Sequence, residues 1–215
     1  MPNPIKPNFK TECLPVFLLA LTFIASFYFY LHFPERIVTH WNAAGQPNGY
    51  SSKAFAAFFF PFFNIGIYLL LFFVPYIDPK KSNYNKFKNI YHIIKSALVV
   101  FLTVLYMLVV LNGLGYKMPI NIAVPLSVAF LFIIIGVFLE RIKPNWFIGI
   151  RTPWTLSSDI VWQKTHKFGS KVFILGGFLM LLAAVLPQWF SWFIGLFILM
   201  VLITIIYSYL LYRKH

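Results

Sequence analysis

The chain has 215 residues, of which 60% are hydrophobic and 11% charged, against roughly 45–50% and 25% in a soluble globular domain. So few charges cannot cover a water-facing surface, which excludes a soluble enzyme, a soluble nucleic-acid-binding domain and a disordered tail. The 18 Lys and Arg against 5 Asp and Glu leave a net charge of +13, which in a membrane protein reports orientation and contact with anionic head groups rather than direct nucleic acid binding.

A helix needs roughly 20 apolar residues to cross a hydrocarbon core of about 30 Å, and six stretches qualify. In chain order they run from about Leu14 to Phe33, Ala54 to Ile77, Ile93 to Leu114, Ile122 to Leu139, Val172 to Leu186 and Trp192 to Tyr212. The last two meet at Pro187-Gln188, a tight-turn signal, and should form a helical hairpin. No run shows the ten-residue alternation of a membrane barrel, so the expected class is all-α, a polytopic membrane helix bundle. The first stretch is too long for a signal core and no small-residue cleavage site follows it, so it reads as a retained anchor. Pro61 and Pro125 fall inside spans and Pro15 and Pro75 near span ends, which bilayers tolerate when neighbours satisfy the freed carbonyls. The lone Cys13 can form no internal disulfide.

Orientation follows the basic residues. With the N-terminus inside, 15 of the 18 Lys and Arg fall on inner segments, and only Arg36, Lys53 and Lys117 fall outside. The expectation is six helices with both termini inside. Residues 1–92 then form an N-terminal two-helix region with an outer loop at 34–53. Residues 93–215 form a four-helix region with an inner loop at 140–171.

Chemistry inside a membrane usually announces itself as a buried ionisable residue. Glu12, Glu35, Asp78, Glu140 and Asp159 all lie at span ends or in loops. Lys95 sits one turn into the third span, where its stem could snorkel to the head groups. No carboxylate is left mid-membrane to relay protons. The remaining intramembrane polar residues are mild, and inter-helix hydrogen bonding accounts for them; Asn64 is the one candidate for more. His32, Glu35 and His40 could gather outside, but His92, His166 and His215 lie on the other side, and no HExxH or CxxC spacing occurs. GxSxG, P-loop and GxGxxG motifs are absent from suitable contexts. No catalytic residue, metal site or cofactor is therefore assigned.

Two loops look specified. The outer loop, Pro34 to Lys53, combines turn residues with aromatic and amide groups. Its Asn48-Gly49 pair is a strong turn dipeptide, while Trp and Tyr suit the head-group layer. His40, Trp41, Asn42, Gly45, Tyr50 and Lys53 are its binding candidates; an interfacial lid anchored by aromatics is the plainer alternative. The inner loop carries Pro144-Asn145 and Thr152-Pro153, which no helix should run through. Ser157, Ser158 and Asp159 then offer N-cap chemistry. Beyond them Val161, Thr165, Phe168 and Val172 share a face opposite Gln163, His166 and Ser170, the pattern of an amphipathic helix lying in the interface before the fifth span. Arg151 and Asp159 are close enough in sequence to pair and pin this loop.

The run Asn145-Trp146-Phe147-Ile148-Gly149-Ile150-Arg151-Thr152-Pro153-Trp154-Thr155-Leu156, followed by Asp159, Val161-Trp162 and Lys171-Val172, resembles the signature of the SdpI/YfhL immunity-protein family. Its signature positions here are Asn145, Gly149, Arg151, Thr152, Pro153, Trp154, Asp159 and Trp162. The outer loop, of the form P-x-x-I-x-x-H-W-N-x-x-G, is similar to a small uncharacterised domain often placed ahead of that signature. The resemblance implies a multi-pass protein of the bacterial cytoplasmic membrane that protects a producing cell from a secreted, membrane-active peptide toxin. It also implies a possible role as a toxin receptor that holds a soluble transcriptional regulator at the membrane. The family supplies no catalytic residues. Beside the immunity factor and the signalling receptor stands a third reading, a lipid or small-molecule carrier using a groove near Asn64 and the Arg151 loop. Anionic lipid head groups at the inner face are expected partners in every case.

Overall fold

The computed structural model describes residues 5–214. Six helices are long and apolar enough to cross a membrane: α1 (Phe9–His32), α2 (Lys53–Ile77), α3 (Lys88–Gly113), α4 (Ile120–Leu139), α6 (Asp159–Val185) and α7 (Phe190–Arg213). Between them lie a two-stranded antiparallel sheet, β1 (Arg36–Trp41) and β2 (Pro47–Ser52), and a short helix α5 (Pro153–Ser157). The polytopic helix bundle read from composition is the observed architecture.

Polar residues cap the starts of three of the six spans, α1, α2 and α6. Asn8 caps α1 in a capping box with Thr11, and Ser52 accepts a hydrogen bond from the Phe55 amide at the start of α2. Ser158 does the same for Val161 at the start of α6, as the Ser157-Ser158-Asp159 run predicts. Pro15, Pro61, Pro75 and Pro125 all lie within helices. In the apolar bundle the carbonyls they free can be met by neighbouring groups.

The fifth span differs from expectation. It is the longest helix rather than the shortest, because the stretch expected to lie separately in the interface is continuous with it as the first turns of α6. The polar side chains assigned to a water-facing side are the reason. His166 and Ser170 are buried, and each is satisfied inside the fold, Ser170 by donating to the Gly136 carbonyl at 2.6 Å. At 27 residues, α6 is about 40 Å long and outruns a hydrocarbon core of about 30 Å.

Helices α1, α2 and α3 pack on one another, α6 packs against α4 and α7, and α3 and α4 join the two groups. The α4–α6 contact is close because small residues line it. A Cβ on Gly136 would stand 2.7 Å from the backbone nitrogen of Ile174, and one on Gly177 would stand 2.5 Å from Cγ1 of Ile133. Gly136→Ala should therefore destabilise the bundle by about 1–3 kcal/mol through overpacking, read as a lowered midpoint of thermal unfolding in detergent.

One buried ion pair crosses the first group. Nζ of Lys95 donates to both oxygens of Glu12 at 2.8 and 2.7 Å, and Glu12 also accepts from the Tyr68 hydroxyl at 2.7 Å. Lys95 does not snorkel. It is 3% exposed and stands over the rings of Tyr68 and Phe72. Its charge is held by a carboxylate from the first turn of a neighbouring helix, a nearer partner than the head groups.

Candidate functional site

Two constructions terminate the bundle, one at each end. At the first, β1 and β2 fold the 34–53 segment into a hairpin pairing Arg36 with Ser52 and His40 with Gly49. The sequence leads one to expect its turn at Asn48-Gly49, but those residues lie within β2. The turn is instead at 42–46, where the Asn42 side chain accepts from the amides of Ala44 and Gln46 at 3.0 and 2.9 Å. Gly45 takes φ +77° beside Asn121 of α4, a left-handed conformation that disfavours any residue with a Cβ. The local Asx turn supplies its own acceptor and so outcompetes the dipeptide.

Ile37 is 1% exposed and anchors the hairpin among Phe33, Ala56, Ala57 and Val110. His40 hydrogen-bonds through Nδ1 to Oδ1 of Asn48 at 2.6 Å. Lys53 pairs with Glu35 at 2.7 Å, and Tyr50 is exposed on β2. Beneath the strands lies a pocket of about 350 Å³ with a rim that includes His40, Trp41 and Asn42. Its floor includes Phe60 of α2, Val109 of α3, Pro125 of α4 and Phe190 of α7. This size falls within the usual small-ligand range of about 300–1,000 Å³. An apolar floor under a few polar groups suits an apolar side chain carried on a backbone that can hydrogen-bond.

The second construction is the 140–158 loop. Asn145 is fully buried and its amide closes the loop on itself. Oδ1 accepts from the amides of Phe147 and Ile148, and Nδ2 donates to the carbonyls of Lys143 and Ile148, all at 2.7–2.9 Å. Gly149 adopts φ +108°, and a Cβ there would lie 2.4 Å from Nε2 of His166. That nitrogen accepts from the Ile150 amide at 3.1 Å while Nδ1 bonds to the Trp162 carbonyl at 2.8 Å. Trp162 stacks on the His166 ring and donates from Nε1 to the Ile142 carbonyl at 2.9 Å. Thr152 and Thr155 form a capping box with Pro153 at the first position of α5, and Trp154 packs against Tyr209 of α7.

Arg151 and Asp159 do not pair. Nη1 of Arg151 donates to the Trp146 carbonyl at 2.6 Å, and Asp159 stands 3.9 Å from Nζ of Lys80. Each residue has a nearer partner, Arg151 within its own loop and Asp159 on the α2–α3 connection. Because the Asp159 side chain is 81% exposed, Asp159→Lys should change stability by no more than about 1 kcal/mol. It should also fail to rescue the folded yield of Arg151→Glu, as measured by fluorescence-detected size exclusion.

Sequence reasoning misses Asp78 and His166. Asp78 is 1% exposed and gathers three donors, the Lys80 amide at 2.7 Å, the Tyr84 hydroxyl at 2.8 Å and the Trp146 amide at 2.9 Å. Burial beside this carboxylate pushes the Tyr84 phenol far above its ordinary range. The Asp78-Pro79 pair, a turn signal at the end of a span, is the clue that could have found it. Inside the bundle, Asn64 donates to the Val99 carbonyl and Thr103 hydroxyl at 3.1 and 3.2 Å. Its Oδ1 is buried without a partner. His32, Glu35 and His40 do not come together, since His32 bonds to the Tyr28 carbonyl. Among the described residues no three His, Cys, Asp or Glu side chains gather around a metal-sized space, and His215 lies outside those residues.

These features define a multi-pass helical membrane protein with a hairpin-roofed pocket at one end and a self-bonded loop at the other. Residues 141–208 match the model of the SdpI/YfhL protein family, and residues 17–65 match a domain of unknown function, DUF1648. The resemblance read from the signature and from the His40-Trp41-Asn42 loop therefore holds in both regions. The chain is similar to the Immunity protein SdpI of Bacillus subtilis (strain 168), with 29% identity over 197 residues, covering 92% of this chain and 89% of that protein. No solved structure matches the chain.

Proposed function

We propose that this protein is an integral membrane immunity protein of the bacterial cytoplasmic membrane, giving resistance to a secreted, membrane-active peptide toxin that it engages at the hairpin end. The observation that carries this reading is the composition of the hairpin pocket. Its rim comes from the segment matching DUF1648 and part of its floor, Phe190, from the segment matching the SdpI/YfhL family. Both are also covered by the similarity to an immunity protein. The hairpin end faces the cell exterior in this proposal, a placement supported by the 15 of 18 basic residues on segments at the opposite side. A toxin arriving from outside then meets the pocket first.

The role has a second part at the opposite end. The exposed Lys86 and Lys88, with Lys80 and Lys81 beside them, suit an acidic-surfaced soluble regulator held at the membrane. Expression in a bacterium sensitive to a competing strain's peptide toxin tests the main claim. The wild-type chain should restore growth. Trp41→Ala and His40→Ala should lose protection at unchanged membrane levels, and Lys86→Glu/Lys88→Glu should keep it while releasing the regulator. A wild-type chain present in the membrane that confers no survival would refute the immunity role.

A further inference from the structure

A cavity larger than the hairpin pocket is a groove of about 920 Å³ with α3 as its floor, α4 along one side and the first turns of α1 at one end. Along α3 it runs from Asn89 to Val104, about 22 Å at the helical rise, more than the roughly 15 Å depth of one leaflet. Its polarity is graded. Lys10, Thr11, Asn89 and His92 cluster at the signature-loop end, and most of the remainder is apolar, including Val100, Val104 and Phe130. Those three side chains are exposed on the outer surface of the bundle, so the groove opens towards lipid. His92 is 8% exposed and makes no hydrogen bond at Nδ1, which stands 3.4 Å from Glu12. The end that carries Lys10 also carries the exposed Lys6, Lys86 and Lys88.

We propose that this groove holds one anionic phospholipid of the leaflet at the signature-loop end, its phosphate at Lys10, Asn89 and His92 and an acyl chain over Val100 and Val104 against Phe130. Three features select this occupant. The ionisable groups, Lys10 and His92, are confined to one end, as in an amphiphile, and only the Ser96 and Ser127 hydroxyls interrupt the apolar remainder. The one charge among them, on Lys10, is positive, which complements a phosphate. The trough beyond them is deep enough for a leaflet's chain. A free phosphate would use only the mouth, and a second copy of the chain would find no matching acidic surface there. The inference stands whether or not the protein confers immunity.

Native mass spectrometry of the full chain released from detergent, with dioleoyl phosphatidylglycerol, dioleoyl phosphatidylcholine or glycerol phosphate added, tests it. One phosphatidylglycerol per chain should be retained, with phosphatidylcholine held at least about fivefold more weakly and glycerol phosphate not held. Lys10→Gln should weaken retention about fivefold, the factor equivalent to the about 1 kcal/mol of one lysine at an anionic surface. Ala97→Trp, which fills the trough, should abolish retention, and Ala97→Ser, which leaves it open, should preserve it with unchanged thermal stability. Equal retention of the two lipids, retention of glycerol phosphate, retention undiminished by Lys10→Gln and Ala97→Trp, or a dimer lost in place of lipid in Ala97→Trp would each overturn the assignment.

Discussion

Lys95→Met as a single change should destabilise the folded bundle by about 3–5 kcal/mol, because it strands the Glu12 carboxylate among apolar helices. Glu12 loses the ammonium that holds both its oxygens, and the neutral hydroxyls of Tyr68 and Thr11 that remain cannot replace a charge. The double replacement Glu12→Gln/Lys95→Met should recover most of the loss, since it removes both desolvated charges together. Unfolding in mixed micelles, followed by helical circular dichroism, measures the two variants against wild type. Equal losses in single and double variants would show that packing of the lysine stem, not the ion pair, stabilises the contact.

Asp78→Ala should cost at least about 3 kcal/mol and unfasten the signature loop. Three donors converge on this one carboxylate, and hydrogen bonds to a charged group contribute about 1.5–3 kcal/mol each. The Tyr84 hydroxyl is buried and would be left without its acceptor. Hydrogen exchange at the Trp146 to Ile150 amides reports the loop directly, and these should lose protection while the amides of α7 keep theirs. Asp78→Asn should fall between the two, because an amide offers one acceptor oxygen where the carboxylate offers two.

What was legible in the sequence followed from length and local chemistry. Six apolar runs mark six helices because a span's length is dictated by the bilayer. Ser158 caps α6 because capping depends on residues three apart. What was not legible depends on which segments meet in space. Glu12 and Lys95 each look like an ordinary span-end charge, and only the packing of α1 on α3 turns them into a pair. Asp159 finds Lys80 rather than Arg151 because the α2–α3 connection passes beneath the signature loop, and nothing in residues 140–171 reports that path. The 159–171 stretch has the pattern of an interfacial helix, yet its polar side is consumed by the Gly136 carbonyl and the Ile150 amide. Asn145, Gly149, Thr152 and Trp162 each hold the loop's own backbone or its seat on α6, so their first role is folding of the loop.

The seating of the hairpin has a consequence for how such a protein can be divided. Ile37 fills the space above Gly113, and Gly45 rests on Asn121, positions that lie outside both family-matched segments. The strands are thus keyed into intervening helices that neither segment supplies. Transplanting residues 17–65 alone would deliver a roof without its walls, and a chain shortened to begin at α4 would leave Val124 and Pro125 uncovered. The two segments are joined through helices that belong to neither, and chimeras should not be cut at residue 65 or residue 141, the inner borders of the two matches.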